Sequence, residues 1–336
     1  MKDLIAIFST EKKSFELREL PPESLASSHH VKLRVKWVGI CGSDLSSIET
    51  QFLKELSLGH EWIGEVTETG SAVTSVKKGD FVTSTVMINC GTCPECLSGS
   101  GECAKKYSLA VNHGMLRTTA QLPEAALVKV PSPADKNSTL FEILAVGENV
   151  FEKTRQHLKP GQPVLILGAG LLGLSVGLVL KKRGYDPLLL EVISSRIRRA
   201  QSLGLNSRHM TEALLDQTLK DSQEFIVDAS GDHLGSKGGW PYLEHFGKKN
   251  FRTIMLAKYL QPISVRTDRY FQKQASIDWI QGCTRYSLEE AIRNWKDELP
   301  VLGPQLITHT FPLEQVNEAF DAAKNREQSA RVIITL

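Results

Sequence analysis

Residues 163–191 read Pro163-Val-Leu-Ile-Leu167-Gly168-Ala-Gly170-Leu171-Leu172-Gly173-Leu-Ser-Val-Gly-Leu-Val-Leu-Lys181-Lys-Arg-Gly184-Tyr-Asp-Pro-Leu188-Leu-Leu-Glu191. A short apolar run, a glycine cluster, a longer apolar helical run and a second apolar run give strand, turn, helix, strand. Gly168 permits the tight turn, Gly170 has no side chain to hold a pyrophosphate off the backbone, and Gly173 lets the helix lie close on the sheet. Leu171 and Leu172 open the helix, whose free N–H groups and dipole suit a phosphate. Lys181, Lys182 and Arg183 match its negative end, and Gly184 stops it. GxGxxG alone is a weak signal; the flanking strand, the helix and an acid about twenty positions on give it meaning. Glu191 would accept hydrogen bonds from ribose hydroxyls and repel a 2′-phosphate, which favours NAD over NADP. Arg196, with Arg198 and Arg199, stands ready to meet a phosphate instead, so NADP stays open as the less favoured cofactor.

Working outward, 336 residues suit two domains of ordinary size. Hydrophobic residues at 41% and charged ones at 23% are those of a globular chain, and a net charge of +2 gives no reason to expect nucleic acid or a membrane surface as a partner. The opening Met1-Lys-Asp-Leu-Ile-Ala-Ile-Phe is too short an apolar run for a signal peptide. The expected compartment is the cytoplasm.

Before the glycine turn the pattern is that of short strands. Val31-Lys-Leu-Arg-Val-Lys-Trp-Val alternates with period two, and Trp62 to Gly70, Lys78-Gly79-Asp80 and Phe81 to Val86 read as strand, turn, strand. From Ser138 to Leu158 the pattern turns helical, placing a domain boundary near residue 145. After Glu191, Glu224-Phe-Ile-Val-Asp228-Ala-Ser-Gly231, Arg252 to Leu256 and Ile277 to Ile280 read as further strands of a parallel sheet. Ser287-Leu-Glu-Glu290 has capping-box spacing and opens a helix, Pro312 starts another, and Val332 to Leu336 is a closing strand. The expected class is α/β: a β-rich first domain over 1–145, a doubly wound parallel-sheet cofactor domain over 146–284, and a return to the first domain over 285–336.

Two constellations carry metal chemistry. Gly39-Ile-Cys41-Gly-Ser43-Asp44 and Gly59-His60-Glu61 supply thiol, imidazole and carboxylate, the ligand types of a zinc that keeps one position for water or substrate. Each fragment alone is bland, since a lone cysteine or histidine is usually packing. Cys90-Gly-Thr-Cys93-Pro-Glu-Cys96-Leu-Ser-Gly-Ser-Gly-Glu-Cys103 can close a tetrahedral site with no open position, a structural zinc. Redox disulfides, an iron–sulfur cluster and a nucleic-acid knuckle are the alternatives; the last lacks an aromatic platform for bases. Cys283 reads as core packing.

With these motifs in place, the chain resembles the medium-chain dehydrogenase/reductase superfamily, in its zinc-dependent alcohol and polyol branch, close to sorbitol, galactitol-phosphate and threonine dehydrogenases. The resemblance runs from about Val31 to the C-terminus, through GICGSDL at 39–45, GHEWIGEV at 59–66, KKGDFV at 77–82, the cysteine lobe, GAGLLG at 168–173, DASG at 228–231 and LITHTFPLEQVNEAF at 306–320. It implies a GroES-like catalytic domain and a Rossmann cofactor domain. It implies a catalytic zinc on Cys41, His60 and Glu61, with Glu142 from the helix joining the domains as a further ligand, direct or through water. Ser43 would relay the substrate proton, and Asp44 would support the metal shell. The implied activity is reversible oxidation of a secondary alcohol on a polyol, sugar-derived or similarly polar small molecule, with hydride passing to NAD, in a homodimer or homotetramer. A bulkier or cyclic alcohol is the runner-up, and a non-catalytic dinucleotide-binding relative would have no need of Cys41, Ser43, His60 and Glu61 together.

The sequence departs from the family in places. Ile143 stands where a proline follows the glutamate, Ser46 where many members have a relay histidine, and the last spacing in the cysteine lobe is one residue short. Asn112-His113-Gly-Met-Leu-Arg117-Thr-Thr replaces a common stretch near the substrate, which suggests an unusual substrate; His113 and Arg117 could bind it, but exposed polar residues in a loop need no ligand to explain them, and a plain surface loop is the preferred reading.

Overall fold

The computed structural model describes residues 2–50, 53–90, 93–98, 103–111, 113–231, 238–259 and 262–336; Asn112 of the divergent stretch lies outside them. Contacts divide the chain into two compact units, Met1–Glu142 with Thr284–Leu336, and Ile143–Cys283.

The second unit is built on Val164–Leu167, whose four residues are all buried. It pairs in parallel with Leu188–Glu191 on one side and Gln223–Asp228 on the other. Asn206–His209 extends the first side, and Gly247–Met255 and Ser276–Trp279 extend the second, giving a six-stranded sheet whose order reverses at the central strand. This is the doubly wound parallel sheet expected from the sequence, and its switch point is the place where such sheets bind ligands. The turn after the central strand has Gly168 at φ +97°, a conformation that L side chains rarely adopt. A Cβ at Gly173 would stand 2.0 Å from the Gly168 carbonyl oxygen. Helix Leu171–Lys182 can start on that turn only because both positions are glycine. The helix buries residues from Gly173 through Leu180 and ends at Gly184, with φ +86°.

The first unit holds a seven-stranded sheet. His30–Gly39 is flanked by Glu61–Thr69 and by the last strand, Arg331–Thr335, both antiparallel to it. The C-terminal residues thus lie beside Gly39, two positions before Cys41. Phe8, Phe15, Leu33, Trp62, Val332 and Phe320 belong to one buried cluster. Trp62 also satisfies its polar tip, donating from Nε1 to Ser84 Oγ at 3.1 Å.

Some local expectations need correction. The helix expected to open at Ser287 is Arg285–Trp295, with Thr284 as its cap. Ser287 N–H donates to the Thr284 hydroxyl and Thr284 N–H to the Ser287 hydroxyl, so the box lies three residues earlier than Ser287–Glu290 and buries Ser287. Pro312 ends strand Ile307–Pro312 in extended backbone, φ −70° and ψ 162°, and helix Val316–Lys324 begins only after a short 3₁₀ turn. The strand expected at Arg252 begins at Gly247, and Cys283 is half-buried rather than in a core. Among the described residues no helix is long and apolar enough to cross a membrane.

Candidate metal centre and dinucleotide site

In the first unit, strand His30–Gly39 delivers Cys41 just past its end, and strand Glu61–Thr69 begins at Glu61. Gly39 pairs with Glu61 across the ladder, which brings the two fragments together. Gly59, at φ +94°, turns the chain so that His60 enters the same space. Ligand atoms of Cys41, His60 and Glu61 then lie within 4.8 Å of one another. Asp44 ties the fragments: its Oδ2 accepts from Cys41 N at 2.9 Å and its Oδ1 from Gly59 N at 3.4 Å, with the side chain fully buried.

The electrostatics of this cluster are unusual. Glu61 is fully buried, and its Oε2 lies against the Arg331 guanidinium. A carboxylate taken into a buried site is costly unless cations face it. One such cation is present: Arg331, itself buried, forms an ion pair with Glu61 and donates to the Ile40 carbonyl at 2.9 Å. Burial disfavours the charged Arg331, but the charges of Glu61 and Cys41 outweigh it and raise its pKa. Burial raises the Cys41 thiol, and Glu61 adds to the rise. For His60, burial opposes the charged ring, while Asp44 and Cys41 more than reverse it, so its pKa lies well above the usual value. His60 Nδ1 is 3.3 Å from Asp44 Oδ1 without hydrogen-bond alignment, and Nε2 is 3.3 Å from Ser43 Oγ. Thiol, imidazole and carboxylate are a donor set that fits zinc.

Glu142, in the first turn of helix Leu140–Thr154, is buried and close enough for its charge to act on Arg331, but it is not one of the three residues in the tight cluster. Ser46 turns its hydroxyl onto the Gly42 carbonyl at 3.1 Å. Arg331 escaped the sequence reading. Its only signal there is a charged residue opening an otherwise apolar terminal strand.

The four lobe sulfurs also lie within 4.8 Å of one another. Cys93 to Cys96 is 3.4 Å, Cys93 to Cys103 3.8 Å and Cys90 to Cys96 4.0 Å. Sulfurs about 2.3 Å from a central tetrahedral ion stand about 3.8 Å apart, so the cluster is sized for one ion. The cysteines are not bonded as disulfides.

In the second unit the glycine turn and Glu191 meet. Glu191 is buried; its Oε2 accepts from Ala169 N at 3.0 Å, and its Oε1 from Val192 N at 2.7 Å and Ile193 N at 3.2 Å. Arg196 stands 3.6 Å from Glu191 Oε2, and a Cβ on Gly170 would lie 3.6 Å from its guanidinium. Gly170 precedes helix Leu171–Lys182 without a side-chain cap, leaving the first N–H groups for a ligand.

Residues 27–132 match the alcohol dehydrogenase GroES-like domain. The sorbitol dehydrogenase of Halalkalibacterium halodurans is 26% identical over 329 residues, covering 94% of each chain. The chain is thus similar over most of its length to zinc-type alcohol and polyol dehydrogenases. Two solved relatives share its fold. An alcohol dehydrogenase of Escherichia coli CFT073, crystallised with NADH, superposes with TM-score 0.82 at 22% identity over all of both chains. Galactitol-1-phosphate dehydrogenase of Escherichia coli gives 0.81 at 19%, again over all of both chains. Residues 162–222 match an FAD binding domain, which covers the strand, glycine turn and helix that flavin and nicotinamide sites have in common. His113 and Arg117 line a cavity whose walls include none of Cys41, Ser43, His60 and Glu61.

Proposed function

We propose that the protein reversibly oxidises a secondary alcohol on a polyol or similarly polar small molecule, using zinc and NAD. The observation that carries this reading is the buried cluster in which ligand atoms of Cys41, His60 and Glu61 lie within 4.8 Å of one another. A zinc ion held by Cys41, His60 and Glu61 would supply Lewis acidity at the substrate oxygen, and NAD would take the hydride. Asp44 holds the Cys41 and Gly59 backbones, fixing the spacing of the two ligands. Ser43 Oγ, beside His60, is placed to take the substrate proton. With Ser46 occupied by the Gly42 carbonyl, that proton leaves by a shorter path than a histidine relay would give. Gly168, Gly170, Leu171, Leu172 and Gly173 would receive the dinucleotide phosphates, with Arg196 beside them, and Glu191 the adenosine ribose. Cys90, Cys93, Cys96 and Cys103 would hold a second, closed zinc. Glu142 stands by as an additional ligand.

The reading extends to a cytoplasmic homo-oligomer. Unbonded cysteines suit a reducing compartment, and the edge strand Ser276–Trp279, with Trp279 exposed, offers a sheet edge to a second copy.

The test is metal content and NAD reduction on a panel of polyols, phosphorylated polyols, amino alcohols and cyclic alcohols, for wild type and Cys41→Ala. The expected result is about two zinc ions per chain falling to about one, with turnover on a polar alcohol lost in the variant. A wild type with one ion, unchanged by the substitution, would end this proposal.

A further inference from the structure

The cavity that takes in His113 and Arg117 is about 200 Å³ and lies wholly within the first unit. That is smaller than the roughly 300–1,000 Å³ of sites for drug-sized ligands and suits an ion or a small metabolite. Its lining carries both signs of charge, and the acids are hydrogen-bonded to other groups, although the charge of Glu23 also acts on Arg117. Asp3 faces Arg34 at 3.7 Å and receives the Thr118 hydroxyl at 3.3 Å, and Glu23 accepts from the Gln121 amide at 2.9 Å. Lys32 donates to the Glu23 carbonyl at 3.0 Å.

Arg117 is placed differently. Its Nε donates to the Gly114 carbonyl at 3.1 Å, which fixes the plane of the guanidinium. Among the described residues its terminal nitrogens have neither an acceptor nor an ion pair, although the group is half-buried and burial lowers its pKa. His113 packs its ring on Tyr107, centroids 4.6 Å apart, and its ring nitrogens likewise have no partner among the described residues. The charge of Arg117 and burial both depress the His113 pKa, burial the more. A guanidinium anchored through Nε keeps a two-pronged donor edge free, the geometry that grips a carboxylate or phosphate.

We propose that Arg117, His113 and Tyr107 form a binding site for a small oxyanion, a phosphate or carboxylate, separate from the Cys41–His60–Glu61 cluster. Arg117 grips the anion, while His113 and Tyr107 add ring-nitrogen and hydroxyl contacts. The site lies close to the candidate metal centre in the chain: Met115, in the cavity wall, donates to the Gly59 carbonyl at 2.8 Å, and Gly59 precedes His60. The anion is either a free effector or the charged end of a substrate whose hydroxyl lies elsewhere.

The test titrates inorganic phosphate, and separately succinate, into the full-length zinc-loaded protein by calorimetry. Wild type is expected to bind one of the two anions saturably, Arg117→Gln about tenfold or more weaker, and Arg117→Lys in between, because it keeps the charge but loses the fork. Cys41→Ala is expected to bind like wild type, so loss of the proposed activity leaves this result readable. If Arg117→Gln does not fold by circular dichroism, Arg117→Lys and His113→Gln carry the test, each several-fold weaker. Competition with the alcohol would mark the anion as a substrate end, and its absence a free effector. Absence of saturable binding, affinity unchanged in the Arg117 and His113 variants, or binding abolished by Cys41→Ala would each overturn the proposal.

Discussion

The two metal-type clusters of the first unit use opposite strategies. The cysteine lobe gathers four thiols from fourteen residues of chain, two of them buried and two half-buried. The other cluster draws Cys41, Asp44, His60 and Glu61 from two strand ends and adds Arg331 from near the C-terminus. The first needs only a loop that can fold round an ion. The second needs a finished sheet, because Arg331 reaches Glu61 through the pairing of the last strand with His30–Gly39. Four like ligands close a coordination sphere, whereas three unlike ones braced by buried charges leave a place for substrate.

The comparison predicts that the clusters fail in different ways. The largest effect is expected from Cys41→Ala: kcat/KM on the best alcohol falls by about a thousandfold or more, the scale of several kcal/mol of lost Lewis acidity, while Tm moves little. Steady-state kinetics beside a thermal scan checks this, and a fall in Tm with activity retained would reverse the assignment. Next is Arg331→Met, which strands a buried carboxylate and is expected to cost about 3–5 kcal/mol in urea unfolding of the metal-free protein. Adding Glu61→Gln should recover much of that loss, and two additive penalties would show that the pair is not coupled.

Cys93→Ser sharpens the contrast from the other side. The lobe ion is lost and limited proteolysis cuts between residues 90 and 103, while turnover stays within about tenfold of wild type, because the change is confined to a local folding unit. Smaller is Tyr259→Phe in the second unit. The Tyr259 hydroxyl donates to Asp228 and accepts from Gly239 N at 3.0 Å, so its loss removes one donor from Asp228, which keeps Ser230, and the Gly239 N–H's acceptor, and costs about 1–3 kcal/mol.

The smallest effect is a slope with pH. Burial raises the Asp228 pKa despite hydrogen bonds from Ser230 and Tyr259. The folded state therefore holds this proton above the pH at which the unfolded chain releases it, and the site costs stability increasingly as pH rises through that window. Asp228→Asn removes the cost, so its Tm relative to wild type should climb from acid toward neutral pH. A flat difference would mean that the carboxylate is not strained by burial.

Much of this was legible in the chain. The βαβ unit announced itself because its glycines answer local steric demands: a Cβ at Gly173 strikes a carbonyl five residues back. The cysteine lobe was legible for the same reason, its ligands being neighbours in sequence. Helix starts at Ser287 and Pro312 were misplaced by a few residues, since a capping residue can bond within either of two overlapping turns and a proline suits an extended strand end as well as a helix start.

The sequence by itself determined which residues can bind a metal, where a dinucleotide turn must form and which family the motifs resemble, because those properties depend on residue type and short spacing. Only the tertiary structure decided that Arg331 backs Glu61, that Asp44 joins Cys41 to Gly59, and that Arg117 opens onto a cavity rather than the metal cluster. The longest-range of these facts comes from strand pairing, as when Arg331 donates to the Ile40 carbonyl 291 positions away. No local spacing rule encodes such a contact, since its partner is chosen by the register of the whole sheet.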